Sequence, residues 1–196
     1  MKAAFFFLIT TSLTSGLFNH APHQKVSGAC VAISIPAPSL SDTVNGRMND
    51  TQFLISAYNT GIYEVKAAKL ARRQTGARKV RKFAVASMVS QDTMNKNIMA
   101  LLTIKGIAIP EQVPSGLKAG FEDLNSWMGK EFNDKYLAAS IETNKGSVAL
   151  YRLMSVNSKD ADVRHFAKDA AARAQVMVDS ASSLLKYIDR PVTSTW

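Results

Sequence analysis

Residues 160–188 read DADVRHFAKDAAARAQVMVDSASSLLKYI. Within this stretch Val163, Ala167, Ala170, Ala174, Met177, Ala181, Leu184 and Ile188 recur in alternating steps of four and three. That spacing puts them on one stripe of an α-helix, since only residues three and four apart share a helical face. A stripe this regular is a bundle seam, and its alanines let a neighbouring helix approach closely.

Working outward, Asn157 or Ser158 is placed to cap this helix, and Pro191 lies just past its end. Before it, a helix from about Glu131 to Val156 carries Leu137, Ile141, Val148 and Tyr151 on one face. A shorter helix opens at Ser115, runs through Leu117, Phe121, Leu124 and Trp127, and is expected to end at Gly129. Pro110 and Pro114 mark the connection ahead of it. A long helix spans about Ala77 to Lys105, with Gly106 as its C-terminal cap. Another runs from an N-cap at Asn49 or Asp50 to about Arg73 and is broken by Gly76. No stretch alternates with the period of a strand. The expected fold is all-α: four long antiparallel helices and one short one, in a single domain over residues 49–190.

The segment ahead of this domain has a different character. Met1 and Lys2 followed by the apolar run Ala3 to Phe18 read as a secretory signal in residues 1–18. Cleavage is expected after Gly16, Ala21 or Ala29, within the window 16–29. Residues 19–48 hold His20, Pro22, His23, Pro36, Pro38 and several serines without a sustained period, which is a linker composition. His20 and His23 lack partners that would complete a metal site. Cys30 is the only cysteine, so an internal disulfide is impossible. Ser27-Gly28-Ala29-Cys30 faintly matches a lipoprotein cleavage site, and the alternative is a lone thiol in the linker. No later stretch is long and apolar enough to span a bilayer.

With 196 residues and 46% hydrophobic composition the chain can build one proper core. Its net charge of +9 favours anionic partners. Lys66, Lys69, Arg72, Arg73, Arg78, Lys79, Arg81 and Lys82 crowd the turn between the first two long helices. Those at the end of the first helix suit its dipole, whereas those at the start of the second oppose it. The expected partner of this basic corner is an anionic envelope surface (lipid or polysaccharide) or an envelope protein. Nucleic acid is not expected, because aromatic residues do not interleave with the cations.

Three seams carry a polar residue among apolar ones: Glu64 between Gly61 and Ala68, Gln91 between Met88 and Ile98, and Asn144 between Ile141 and Val148. Polar groups on a core face are costly unless satisfied, so they mark either a site or a register device. A metal reading would gather Glu64, Gln91, Asp92 and Asn144 as oxygen ligands for a hard cation. Asp92 and Glu142, however, flank the stripes. Glu-x-x-His, the motif of di-iron bundles, is absent from the sequence, and His165 lies beside the seam residue Phe166 rather than at the seam's centre. Nucleophilic catalysis has no support: the sequence contains neither a Gly-x-Ser-x-Gly elbow nor a phosphate loop. Met88, Met94, Met99, Met154 and Met177 fall at helical spacing and read as core filler.

Phe53-Leu54, Glu64-Val65, Lys69-Leu70-Ala71, Val80-Arg81-Lys82-Phe83-Ala84 and Met88-Val89 together resemble the bacterial exported family called domain of unknown function 4142. Gly129, Phe132, Asn133, Tyr136-Leu137 and Ile141 resemble its Gly-x-x-Phe-Asp-x-x-Tyr signature. The resemblance covers about residues 50–188. It implies a ferritin-like bundle, and members are often labelled predicted outer-membrane proteins. The family pattern has Asp-His after Met-Val in the second helix, where this chain has Gln91 and Asp92. It has histidines where this chain has Asn144 and, close by, Met177, while Glu64 is retained. The expectation is a non-catalytic, exported module of the bacterial envelope, periplasmic or outer-membrane associated and needing no cofactor. The alternative is a metal-binding ferritin-like protein or oxidoreductase with carboxylate and amide ligands.

Overall fold

A computed structural model describes residues 48–189. The expected signal, linker, His20, His23, Cys30 and Pro191 lie outside the described residues. Five helices make up the fold: α1 (Asp50–Gln74), α2 (Arg78–Ile104), α3 (Ser115–Ser126), α4 (Gly129–Asn157) and α5 (Ala161–Ile188).

Local chemistry sets most of the ends. Asn49 caps α1 by accepting from the Gln52 amide at 2.8 Å, and the Gln52 side chain accepts from the Asn49 amide at 3.1 Å. This reciprocal pair satisfies two amides that the first turn leaves free. Gly106 follows α2 with φ +64, the left-handed conformation that glycine tolerates best. Two expected ends are corrected. The cap of α5 is Asp160, which accepts from the amides of Asp162 at 3.0 Å and Val163 at 3.1 Å, while Ser158 accepts from the Asp160 amide at 3.1 Å. Gly129 does not end α3, which stops at Ser126; with φ +60 it turns the chain into α4.

Two apolar clusters fill the ends of the bundle. One joins Phe53, Leu54 and Ala57 of α1 to Met94, Ile98 and Leu102 of α2, Val148, Tyr151 and Met154 of α4, and Val163 to Ala174 of α5. The Phe53 and Tyr151 rings meet edge to face there, with centroids 5.8 Å apart. The other cluster joins Ala67 to Ala71, Val80 to Ala84, Leu124, Phe132 to Ile141, and Ala181.

These memberships establish direction. The start of α1 meets the ends of α2 and α4 and the start of α5, so α2 and α4 run alike, antiparallel to α1 and α5. The link between α2 and α4 therefore crosses the length of the bundle, and α3 lies within it. One long crossover in a four-helix bundle is the ferritin-like arrangement. α1 packs chiefly on α2 and α4 on α5; the hairpins join through α1 with α4 and α2 with α5, and α3 rests on α1 and α4.

Candidate functional site

Between the two apolar clusters lies a polar layer. Glu64, Gln91 and Asn144 fall at its level on α1, α2 and α4, and each is buried. They converge on one another. The Gln91 amide donates to Glu64 Oε2 and the Asn144 amide donates to Glu64 Oε1. Asn144 Nδ2 also donates to the Ser140 carbonyl at 2.9 Å, which fixes its rotamer. Asp92, the fourth candidate, is exposed and does not join, as expected of a residue next to the stripe rather than on it. Glu142 is exposed as well and pairs with Lys145 at 3.0 Å. His165 faces solvent beside Asp169. Among the described residues, no three His, Cys, Asp or Glu side chains gather as metal ligands.

The layer contains more than the seam pattern predicts. A cavity of about 10 Å³ adjoins Glu64, lined by Tyr63, Ser87, Tyr136, Ser140 and Thr143 with Ala67 and Ala139. The hydroxyls of Tyr63, Tyr136 and Thr143 are buried without a hydrogen-bond partner; Ser87 sits beside Tyr136 but does not close a bond of normal geometry. Sequence reasoning passed over these hydroxyls. A usable signal was present in Ser87, Gln91 and Asn95, and in Ser140 and Asn144, which recur every four residues on the same faces. On α5 every buried residue is apolar.

Burial pushes the Glu64 carboxyl up to about 8, against a smaller downward pull from the Asn144 hydrogen bond. At neutral pH it is mostly protonated. Exchanging the oxygen and nitrogen of one neighbouring amide would let that amide accept the carboxyl proton, so the trio suits either state. Burial, followed by the fields of Glu64 and Asp123, pushes Tyr63 up to about 12. Tyr136 and Tyr151 are also raised, mainly by burial.

About one helical turn from the layer, Gly61 on α1 and Asn95 on α2 share a close packing step. A Cβ on Gly61 would lie 2.0 Å from Asn95 Oδ1, so the Asn95 side chain occupies the space that any larger residue would need.

The basic corner is the second candidate. Lys66, Lys69, Arg72, Arg73, Arg78, Lys79, Arg81 and Lys82 are all exposed. Among the described residues none of them forms an ion pair. Two are anchored otherwise: Arg81 donates to the Thr75 carbonyl at 2.6 Å, and the Lys79 ammonium lies 3.3 Å from the centroid of the Tyr187 ring on α5. At Ala77, no side chain caps α2, and its first turn holds no acid. Cations therefore surround a helix end that is already positive.

The turn carrying this corner is clamped to the start of α4. Thr75 Oγ1 donates to Asn133 Oδ1 at 2.6 Å and accepts from the Ala77 amide at 3.0 Å, while Gln74 donates to the Trp127 carbonyl at 3.0 Å. The stretch Gly129–Tyr136 thus has a structural role at each marked position. Gly129 makes the turn, Phe132 is fully buried, Asn133 holds the α1–α2 turn, and Tyr136 walls the cavity.

No curated protein matches this chain. A solved structure described as a DUF305 fragment from Deinococcus radiodurans resembles it at 16% identity with a TM-score of 0.64, covering 70% of this chain and 95% of that one. At that identity the likeness speaks for the fold, and it is a likeness of helical bundles. The family model of a domain of unknown function, DUF4142, matches residues 36–184, and the chain belongs to that family.

Proposed function

We propose that this protein is a non-catalytic module of the bacterial cell envelope, exported by its N-terminal segment, whose basic corner docks on an anionic surface. The supporting observation is the corner itself. Eight exposed cations surround the uncapped start of α2, and none is neutralised within the described residues. Such a surface attracts phosphate or carboxylate groups through both side-chain charge and free helix amides. Lys66, Lys69, Arg72, Arg73, Arg78 and Lys82 are the free donors, while Lys79 and Arg81 also hold the corner in shape. Among the described residues, no helix is long and apolar enough to cross a membrane.

Co-sedimentation with phosphatidylglycerol vesicles, phosphatidylcholine vesicles and an acidic polysaccharide tests this reading. Binding to an anionic partner is expected, weakened by salt because exposed charges are screened. Arg73→Glu with Arg78→Glu and Lys82→Glu should abolish it. Binding indifferent to salt and to these reversals would refute the reading.

A second reading, a metal-binding ferritin-like protein or oxidoreductase, has the convergence of Glu64, Gln91 and Asn144 in its favour. Stoichiometric iron, manganese or zinc in the purified protein, lost on Glu64→Ala, would establish it over the first.

A further inference from the structure

Building on the anionic-surface reading, we propose that the basic corner binds a lipid bilayer, with Met128 and Tyr187 entering the headgroup layer beside its cations. Charge alone does not tell a phospholipid from an acidic polysaccharide. The exposed apolar side chains at the same end of the bundle do.

Met128 is 72% exposed and Tyr187 49% exposed. Both stand next to the corner. Gln74, the last residue of α1, holds the carbonyl of Trp127, one residue ahead of Met128. The Lys79 ammonium covers the Tyr187 ring. Lys130 ties the start of α4 to the end of α5 through Asp189 at 3.0 Å. Met128 also occupies the N-cap of α4, where Ser, Thr, Asp or Asn would bond a free amide of the first turn. Met128 makes no such bond, and most of its surface lies in solvent. A large apolar side chain that neither caps its helix nor packs inside breaks a local rule, and such breaks gather at functional sites.

The neighbouring residue types favour a bilayer over a protein. Lysine is depleted at protein–protein interfaces, yet Lys69, Lys79 and Lys82 stand in the corner and Lys186 in the last turn of α5. At a membrane, lysine stems lie along apolar surface while the ammonium groups stay at headgroup level. Trp and Tyr are enriched at that level too, and Trp127, with the Lys135 ammonium 4.7 Å from its ring centroid, directly precedes Met128. Two exposed side chains fall short of the broad patch that a stable protein interface buries. A polysaccharide would leave Met128 in water. Acids are present at this end as well: Lys130 engages Asp134 and Asp189, and Glu131 lies in the first turn of α4. The contact is therefore peripheral, with a small apolar insertion added to attraction for anionic headgroups.

The test follows Trp127 fluorescence in the full-length chain. The sequence has two tryptophans, Trp127 and Trp196, so Trp196→Phe isolates the one beside Met128. Phosphatidylglycerol vesicles with acyl chains brominated near the headgroup are expected to quench it at low salt. Met128→Ser should remove most of that quenching and weaken partition onto unbrominated vesicles by about tenfold, the low end of what burying one such side chain gives. Met128→Leu should retain both. Serine is favoured at an N-cap, so the variant keeps its fold. Neither substitution should alter binding to the acidic polysaccharide. Vesicle binding without quenching, or vesicle binding unchanged in Met128→Ser, would overturn the proposal and leave a contact made by charge alone. Binding to the polysaccharide but not to vesicles would also overturn it while sparing the anionic-surface reading. Binding to neither would sink both.

Discussion

The polar layer around Glu64 and the basic corner around Arg78 are both clusters of polar side chains, and they behave in opposite ways. In the layer, Glu64 is met by Gln91 and Asn144, each from a different helix. In the corner, eight cations sit side by side on exposed helix faces without a single acid to pair with among the described residues. Burial accounts for the difference. A polar atom inside must find a partner within the protein or destabilise it, whereas water satisfies one outside. Residues of the layer should therefore govern stability, and residues of the corner should govern binding.

The largest expected effect is a pH dependence that belongs to the layer. Folded Glu64 holds its proton up to about 8, and the unfolded chain releases it near the ordinary 4.5. Between those values the folded state binds more protons, so stability should fall as pH rises, by a few kcal/mol in all, and level off above about 8. Urea unfolding from pH 5 to 9 reads this. Glu64→Gln should flatten the curve, and a wild-type curve already flat across that window would break the comparison.

Next in size is Asn144→Ala. It strips one donor from Glu64 and opens space at a fully buried position, at a cost of about 1–3 kcal/mol. Chemical denaturation measures it, and vesicle binding of the folded fraction should not change. Gly61→Ala should cost about 1–2 kcal/mol through its clash with Asn95. The double variant with Asn95→Ala should recover most of that loss, because the displaced atom is gone. A purely additive double variant would show that Asn95 is not what Gly61 accommodates. Arg73→Glu with Arg78→Glu and Lys82→Glu should move stability least, within about 0.5 kcal/mol, since all three are exposed and unpaired.

Much of this organisation was legible in the sequence. The alanine seam of α5 implied a bundle, and period and capping chemistry placed five helices. Glu64, Gln91 and Asn144 stood out because each broke a stripe. The hydroxyls did not: Tyr63 is one residue off its stripe, and Ser87, Ser140 and Thr143 are small enough to suit either a core or a surface face. Asp92, a ligand candidate that flanks the stripe, stays outside the layer for a related reason, since one step along a helix turns a side chain by about 100°. The crossover was not visible either. Helix period says which face is apolar and nothing about which helix covers it; direction emerged only from which ends share a cluster. Gly129 was ambiguous because a left-handed glycine can close one helix or open the next.

The central claim is that the exposed corner, and not the buried layer, makes contact with an anionic partner. The most direct measurement compares three proteins on phosphatidylglycerol vesicles at low salt: wild type, Glu64→Gln, and the Arg73, Arg78 and Lys82 charge reversal. The account predicts equal binding for the first two and loss of binding for the third, with all three folded by circular dichroism. Loss of binding in Glu64→Gln with retention in the charge reversal would contradict it.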